Sequence, residues 1–176
     1  MKRFTLLTAA VLFLGIASVA SAQTATGTLT VTATVNSSIN LVFNNDAAGV
    51  ALSSGAGTNT ATLNFGAVSA FGAVAAGITR TTTATTFTVS TPVDVLVTKA
   101  NSASANYTLK AQLGAADAVN TWQVAGTTVT NAAQATITAT GTYAANVPEA
   151  IALTIPFTTA NATAISNTIN FTATAN

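Results

Sequence analysis

Apolar and polar residues alternate with a period of two near the start of the chain. From position 24 to position 35, every even residue is threonine and every odd residue is apolar or glycine. Such alternation is typical of a β-strand with one buried face. The apolar face would consist of Ala25, Gly27, Leu29, Val31, Ala33 and Val35. The same parity resumes after Asn36-Ser37-Ser38, over residues 39–43.

A single strand from Ala25 to Phe43 would be far too long, since it would span about 60 Å at roughly 3.3 Å per residue. The pattern therefore predicts two pieces, and two arrangements remain open. In the first, residues 36–38 turn one strand into the next within the same molecule. In the second, residues 24–35 extend from their own domain and add as a strand to a groove in another subunit.

Short alternating segments continue along the rest of the chain, separated by Gly, Asn and Asp. We predict strand segments over residues 61–65, 87–89 with 93–97, 105–113, 122–124, around Val129, 135–139, 151–157, and at 165 with 169–173. Helical periodicity is weak, and only residues 70–78 could form a short helix or an irregular crossover. The prolines, Pro92, Pro148 and Pro156, are expected at or near strand ends. Strands at this spacing predict an all-β fold, an antiparallel β-sandwich in one domain.

The first residues have the features of a secretory signal peptide. A basic start, Met1-Lys2-Arg3, precedes the apolar stretch Phe4 to Ile16, and Ala20-Ser21-Ala22 fits a cleavage site. The apolar stretch is shorter than the roughly 20 residues of a membrane-spanning helix. We therefore predict a signal peptide over 1–22, a mature domain over 23–176, secretion, and no transmembrane segment after cleavage.

The composition excludes most enzyme chemistry. The chain has no His and no Cys, and only five Lys plus Arg and four Asp plus Glu. Catalytic triads, thiolate nucleophiles and ordinary zinc sites need the missing side chains. We predict no enzyme activity, no catalytic residue, no cofactor and no metal site. Nucleic-acid binding, which needs clustered cations, is not expected either.

We predict structural roles for the few charged and aromatic side chains. The carboxylates Asp46, Asp94, Asp117 and Glu149 are far apart in sequence, with no calcium-loop spacing. Asn44-Asn45-Asp46 could offer oxygen ligands to Ca²⁺, although turn chemistry explains the same residues. The cations Arg80, Lys99 and Lys110 are expected in solvent, and the aromatic residues Trp122, Tyr107 and Tyr143 in the core.

Charge is absent from both terminal strand candidates. No charged residue occurs from Gln23 to Asn45 or from Ile165 to Asn176. Edge strands are usually protected from pairing with other molecules by charged side chains or proline. The unprotected terminal segments therefore favour self-association.

Several motifs together resemble bacterial fimbrial (pilin) subunits of the chaperone-usher and spore-coat-U-like kind. These are the signal sequence, the alternating N-terminal segment, Leu63-Asn64-Phe65-Gly66 and the last seven residues, Asn170 to Asn176. The resemblance implies an immunoglobulin-like sandwich and a homopolymer at the cell surface that assembles by strand exchange. It also implies a periplasmic chaperone as a second partner. The donor strand would be residues 23–36, with the apolar set from Ala25 to Val35 at the interface.

A monomeric secreted binding module is the alternative. Trp122 could stack on a carbohydrate, as in an adhesin, and the threonine row from Thr24 to Thr34 could bind ice. Ice-binding solenoids have a regular repeat, and the chain has no fixed period. Threonine also forms strands well and keeps an exposed face hydrated.

Overall fold

Residues 26–176 are described by the structure, a computed structural model, and within them the regular elements are all β-strands. The strands are β1 (Ser38–Asn44), β2 (Thr79–Thr82), β3 (Thr86–Ala100), β4 (Tyr107–Leu113), β5 (Thr121–Val124), β6 (Thr127–Val129), β7 (Ala135–Gly141), β8 (Asn146–Pro156) and β9 (Ile169–Ala175). The predicted signal peptide, residues 1–22, lies outside the described residues, as does Ala25. No helix within the described range is long and apolar enough to cross a membrane.

Two antiparallel sheets pack face to face. The larger has the order β1-β3-β8-β5-β6, with β2 also paired to β3, and the smaller has the order β7-β4-β9. Buried side chains from both sheets meet in the middle, for example Val97 of β3 and Leu109 of β4. The predicted β-sandwich is confirmed.

The core follows the alternation of the central strands. In β3 and β4 every second residue is buried, so each strand has one face against the opposite sheet. Trp122 and Tyr107 are buried, as predicted. Tyr143 is half-buried and packs on Tyr107, with ring centroids 5.3 Å apart.

Pro92 lies in the middle of β3, so the prediction that it ends a strand is wrong. On one side of β3, β2 pairs with residues 87–90 and β1 pairs with residues 94–100. Pro92 falls in the gap between these partners. Because proline has no N–H to donate, it is tolerated where the ladder on that side is interrupted.

The long connection between β1 and β2 differs from the sequence prediction. Residues 61–65 form no strand and contribute only the isolated bridge Ser54↔Thr62. Asn64 Oδ1 accepts from the Gly66 N–H at 2.8 Å, and this turn ends the extended run, although Leu63 and Phe65 pack on the core. Residues 70–78 form the irregular crossover rather than a helix.

Two further strand boundaries differ from the prediction. β2 was missed because its residues, Thr79 to Thr82, carry no apolar alternation. Ile165 packs on the core but precedes β9, which begins at Ile169.

The described residues before β1 form no strand. The chain divides after Thr34 into two units, and residues 26–37 belong to no strand. β1 pairs with β3, and residues 26–37 take no part in this pairing. The strand predicted from the alternation is therefore not formed in a single chain over the described residues, because an extended segment needs a neighbouring edge to supply its hydrogen bonds.

Candidate functional site

An apolar groove of about 1450 Å³ opens between the sheets. Its floor is formed by inward-facing side chains of β3 and β8, and its sides by β1, β9 and the connections that follow β1 and β8. The floor residues are Val93, Val95, Ile151, Leu153 and Ile155, and the strand residues along the sides include Ile39, Leu41, Phe43, Ile169 and Phe171. The volume exceeds the roughly 300–1,000 Å³ of ordinary small-molecule pockets.

Burial decreases from the centre of the sandwich towards this groove. The inward-facing residues of β3, β4 and β8 are almost all buried, whereas those of β1 and β9 are only half-buried. Phe43 of β1 and Phe171 of β9 meet edge to face, with ring centroids 5.3 Å apart. The inward-facing side chains are thus buried at the centre of the core but only half-buried along β1 and β9, two edge strands that lie in opposite sheets.

The strand edges beside the groove are available for pairing. β9 pairs only with β4, and in the described part of the chain no backbone hydrogen bond links its other edge to a strand. Among residues 26–176, the outer edge of β1 pairs only at Phe43, through hydrogen bonds with Gly57 and Thr58. An unpaired edge next to an open apolar face can accept an added strand.

The residues predicted for the subunit interface lie on the separate N-terminal segment. Leu29, Val31 and Val35 are 85%, 79% and 74% exposed, and Gly27 and Ala33 are exposed as well. The segment from Leu29 to Val35 has seven residues, the same length as β9.

The indole of Trp122 is fixed beneath the groove by Asp117. Trp122 Nε1 donates to Asp117 Oδ2 at 2.8 Å, and the backbone N–H groups of Val119 and Asn120 donate to Asp117 Oδ1. Burial alone would raise the pKa of Asp117, but hydrogen bonds from Asn120, Trp122 and Val119 outweigh it and lower the pKa to about 2. Asp117 therefore has a structural role at the base of the groove.

Asp46 and Asp94 lie together in the structure, although the sequence separates them. Burial raises the pKa of Asp94, and the charge of Asp46 and a hydrogen bond to it raise this pKa further. Two carboxyl groups that are distant in sequence are thus neighbours in the fold. Asp46 Oδ1 also accepts from the Ala48 N–H at 2.7 Å, which is the turn chemistry expected of this loop. No cluster of three or more His, Cys, Asp or Glu side chains occurs among residues 26–176.

Glu149 is a buried carboxyl group between the sheets. It is 3% exposed, and its Oε1 accepts a hydrogen bond from Thr138 Oγ1 at 3.3 Å. Burial raises the pKa of Glu149, and this outweighs the lowering effect of the Thr138 hydrogen bond. This burial was not predicted, because Glu149 occupies an inward position in β8 that is defined by the pairing with β3.

We expect Glu149→Gln to stabilise the protein at pH 8 by about 1 kcal/mol, or about 2–4 °C in Tm, because the amide removes the cost of a buried charge. Below the unfolded-state pKa the carboxyl group is neutral in both states, so the two proteins should be equally stable there. As pH rises through the raised folded-state pKa, the wild type should lose stability relative to the variant. Thermal unfolding at pH 4 and pH 8 measures this difference. An equal Tm difference at both pH values would contradict it.

No family model, curated protein or solved structure matches this chain.

Proposed function

We propose that this protein is a secreted structural subunit of a cell-surface fibre or matrix, in which the N-terminal segment of one copy adds as a strand to the groove of the next. One observation carries the proposal. The sandwich has an open apolar groove, and the same chain has an exposed apolar segment that pairs with none of its own strands. The N-terminal segment could cover the open floor of the groove, and the groove could provide the strand edge that the segment needs for its backbone hydrogen bonds.

The alternation of the segment suits such a groove. Leu29, Val31, Ala33 and Val35 would face the floor, while the intervening threonines would face solvent or the neighbouring strand. Burying each of the larger apolar side chains contributes roughly 1.5–3 kcal/mol. The backbone would pair with the free edge of β9, which removes an exposed edge from the sandwich.

The scarcity of charge supports assembly between identical copies. No charged residue occurs between Gln23 and Asn45, and β9 carries none, so neither surface opposes the other by repulsion. A subunit with an exposed apolar groove would be prone to aggregate before assembly. A periplasmic chaperone that covers the groove during export fits this requirement.

Gel electrophoresis and negative-stain microscopy of the secreted protein test the proposal. We expect bands of multimers that resist SDS but collapse to one band after boiling, and filaments in the micrographs. N-terminal sequencing should begin at Gln23. A mature protein that remains monomeric at high concentration, without filaments, would show that the proposal is wrong.

A further inference from the structure

An exposed aromatic patch lies at one end of the groove. We define this aromatic patch as Phe71 and Phe157, which are 72% and 39% exposed. The ring centroids of Phe71 and Phe157 are 5.9 Å apart, and those of Phe157 and buried Phe87 are 6.4 Å apart. Three phenyl rings thus lead from the core to solvent, and all three line the groove.

The loop that carries Phe71 is held in place by hydrogen bonds. The carbonyl groups of four consecutive residues, 69–72, each accept from a side chain. Arg80 donates to Ser69 and Gly72, both at 2.8 Å, and Thr82 donates to Ala70 at 3.3 Å. The expectation that Arg80 is simply solvated is therefore wrong. A fixed loop that presents a phenyl ring to solvent loses little conformational entropy when that ring is covered.

The aromatic patch and the start of β1 lie at opposite ends of the sandwich. Phe87, next to the patch, is near the beginning of β3, whereas Ser38 of β1 pairs with Ala100 at the end of β3. These two ends are about 40 Å apart along the strand, at roughly 3.3 Å per residue. A single chain therefore cannot cover its own patch with the residues around Ser38.

We propose that the aromatic patch is the docking site for the body of the next copy of this chain, an inference that rests on the proposed strand addition. β9 starts beside Leu113, which belongs to the same core cluster as Phe87. An added strand that runs antiparallel to β9 therefore ends near the patch. Only Asn36 and Ser37 separate Val35 from β1, so the body of the added copy must lie within about 10 Å of that end.

The loop that would meet the patch carries no charge that opposes the contact. The end of the sandwich near Ser38 includes the loop from Asn101 to Asn106, which consists of Asn, Ser and Ala and carries no charge. Lys99 is close to this loop. Its Nζ donates a hydrogen bond to the Ser104 carbonyl oxygen and lies 5.0 Å from the centroid of the Tyr143 ring. Addition parallel to β9 would place the second body at the opposite end and leave the patch in solvent. The patch therefore fixes a head-to-tail direction for the fibre.

A Phe71→Ser variant of the mature chain tests the contact. Val119→Ser is the matched control, because Val119 is another exposed apolar residue, at 61%, and is not among the residues that line the groove. We expect Phe71→Ser to reduce filament length at least tenfold, because the body of the next copy loses its contact with the patch. Val119→Ser should match the wild type. Filaments of wild-type length from Phe71→Ser would overturn the inference while leaving strand addition in place.

Cross-linking between copies gives a second readout, and the chain is suited to it because it contains no native cysteine. Oxidation of the double variant Ser37→Cys/Ala73→Cys should give a ladder of disulfide-linked multimers. Ser37→Cys/Val119→Cys should give none. If wild-type multimers form but the first pair gives no ladder, the docking site is wrong. If the wild type forms no multimers, the proposed function fails and the inference fails with it.

Discussion

Val31→Asp is expected to abolish SDS-resistant multimers, whereas Thr30→Asp is expected to leave them largely intact. The two residues are neighbours in the same exposed segment, so both variants add one negative charge at nearly the same place. In an added strand their side chains point in opposite directions. Asp at position 31 would enter the apolar groove, whereas Asp at position 30 would remain at the surface.

The expected difference is large because an unpaired carboxylate in an apolar site costs several kcal/mol. A loss of about 3 kcal/mol corresponds to more than a hundredfold in the association constant. Native gels and light scattering on freshly refolded protein measure it. Circular dichroism should show unchanged monomer folding for both variants, since Val31 is 79% exposed in the single chain. Equal multimer formation by the two variants would show that the segment does not insert with this parity.

Gly141→Ala is expected to lower the free energy of unfolding by about 3 kcal/mol. A Cβ atom at position 141 would lie 2.2 Å from Tyr107 Cζ, and two further ring atoms would lie within 2.7 Å. Tyr107 is 1% exposed, and its ring also packs on Tyr143, so it cannot move aside without disturbing the core. The aromatic ring of β4 covers the glycine of β7 across the sheet.

Gly114→Ala is the matched control for this substitution. Its nearest neighbour would be the Thr168 Cβ at 3.2 Å, a contact that a shift of a few tenths of an ångström relieves. We expect a loss below about 1 kcal/mol. Urea unfolding of both variants gives the comparison. Similar midpoints for the two variants would mean that the Tyr107 ring is free to move, contrary to the packing described above.

Local alternation was a good guide wherever a strand has one buried and one exposed face. β4 and most of β8 were predicted from period-two patterns, and the core positions of Tyr107 and Trp122 followed from the same parity. The same rule failed at residues 61–65, where alternation is present but no neighbouring strand pairs with it. Apolar alternation indicates that one face of a segment is buried, but it does not identify the element that buries this face or whether a neighbouring strand pairs with the segment.

The candidate site could be predicted only in part. The sequence predicts that Leu29, Val31 and Val35 contact another subunit; the structure shows that these side chains are exposed in the single chain, and the contact itself stays a prediction. The groove itself could not be predicted, because its lining comes from strands and connections distant in sequence. The roles of Arg80 and Glu149 were missed for the same reason, since each depends on residues brought close by strand pairing.

By itself, the sequence determined that this protein is all-β, low in charge, and supplied with an uncharged alternating segment ahead of its first sandwich strand. These properties depend on the order and chemistry of neighbouring residues. The tertiary structure decided which strands are edges, where the core is left open, and which end presents Phe71 and Phe157. Such features depend on pairings across the chain, such as β1 with β3 and β9 with β4, and no local pattern specifies them.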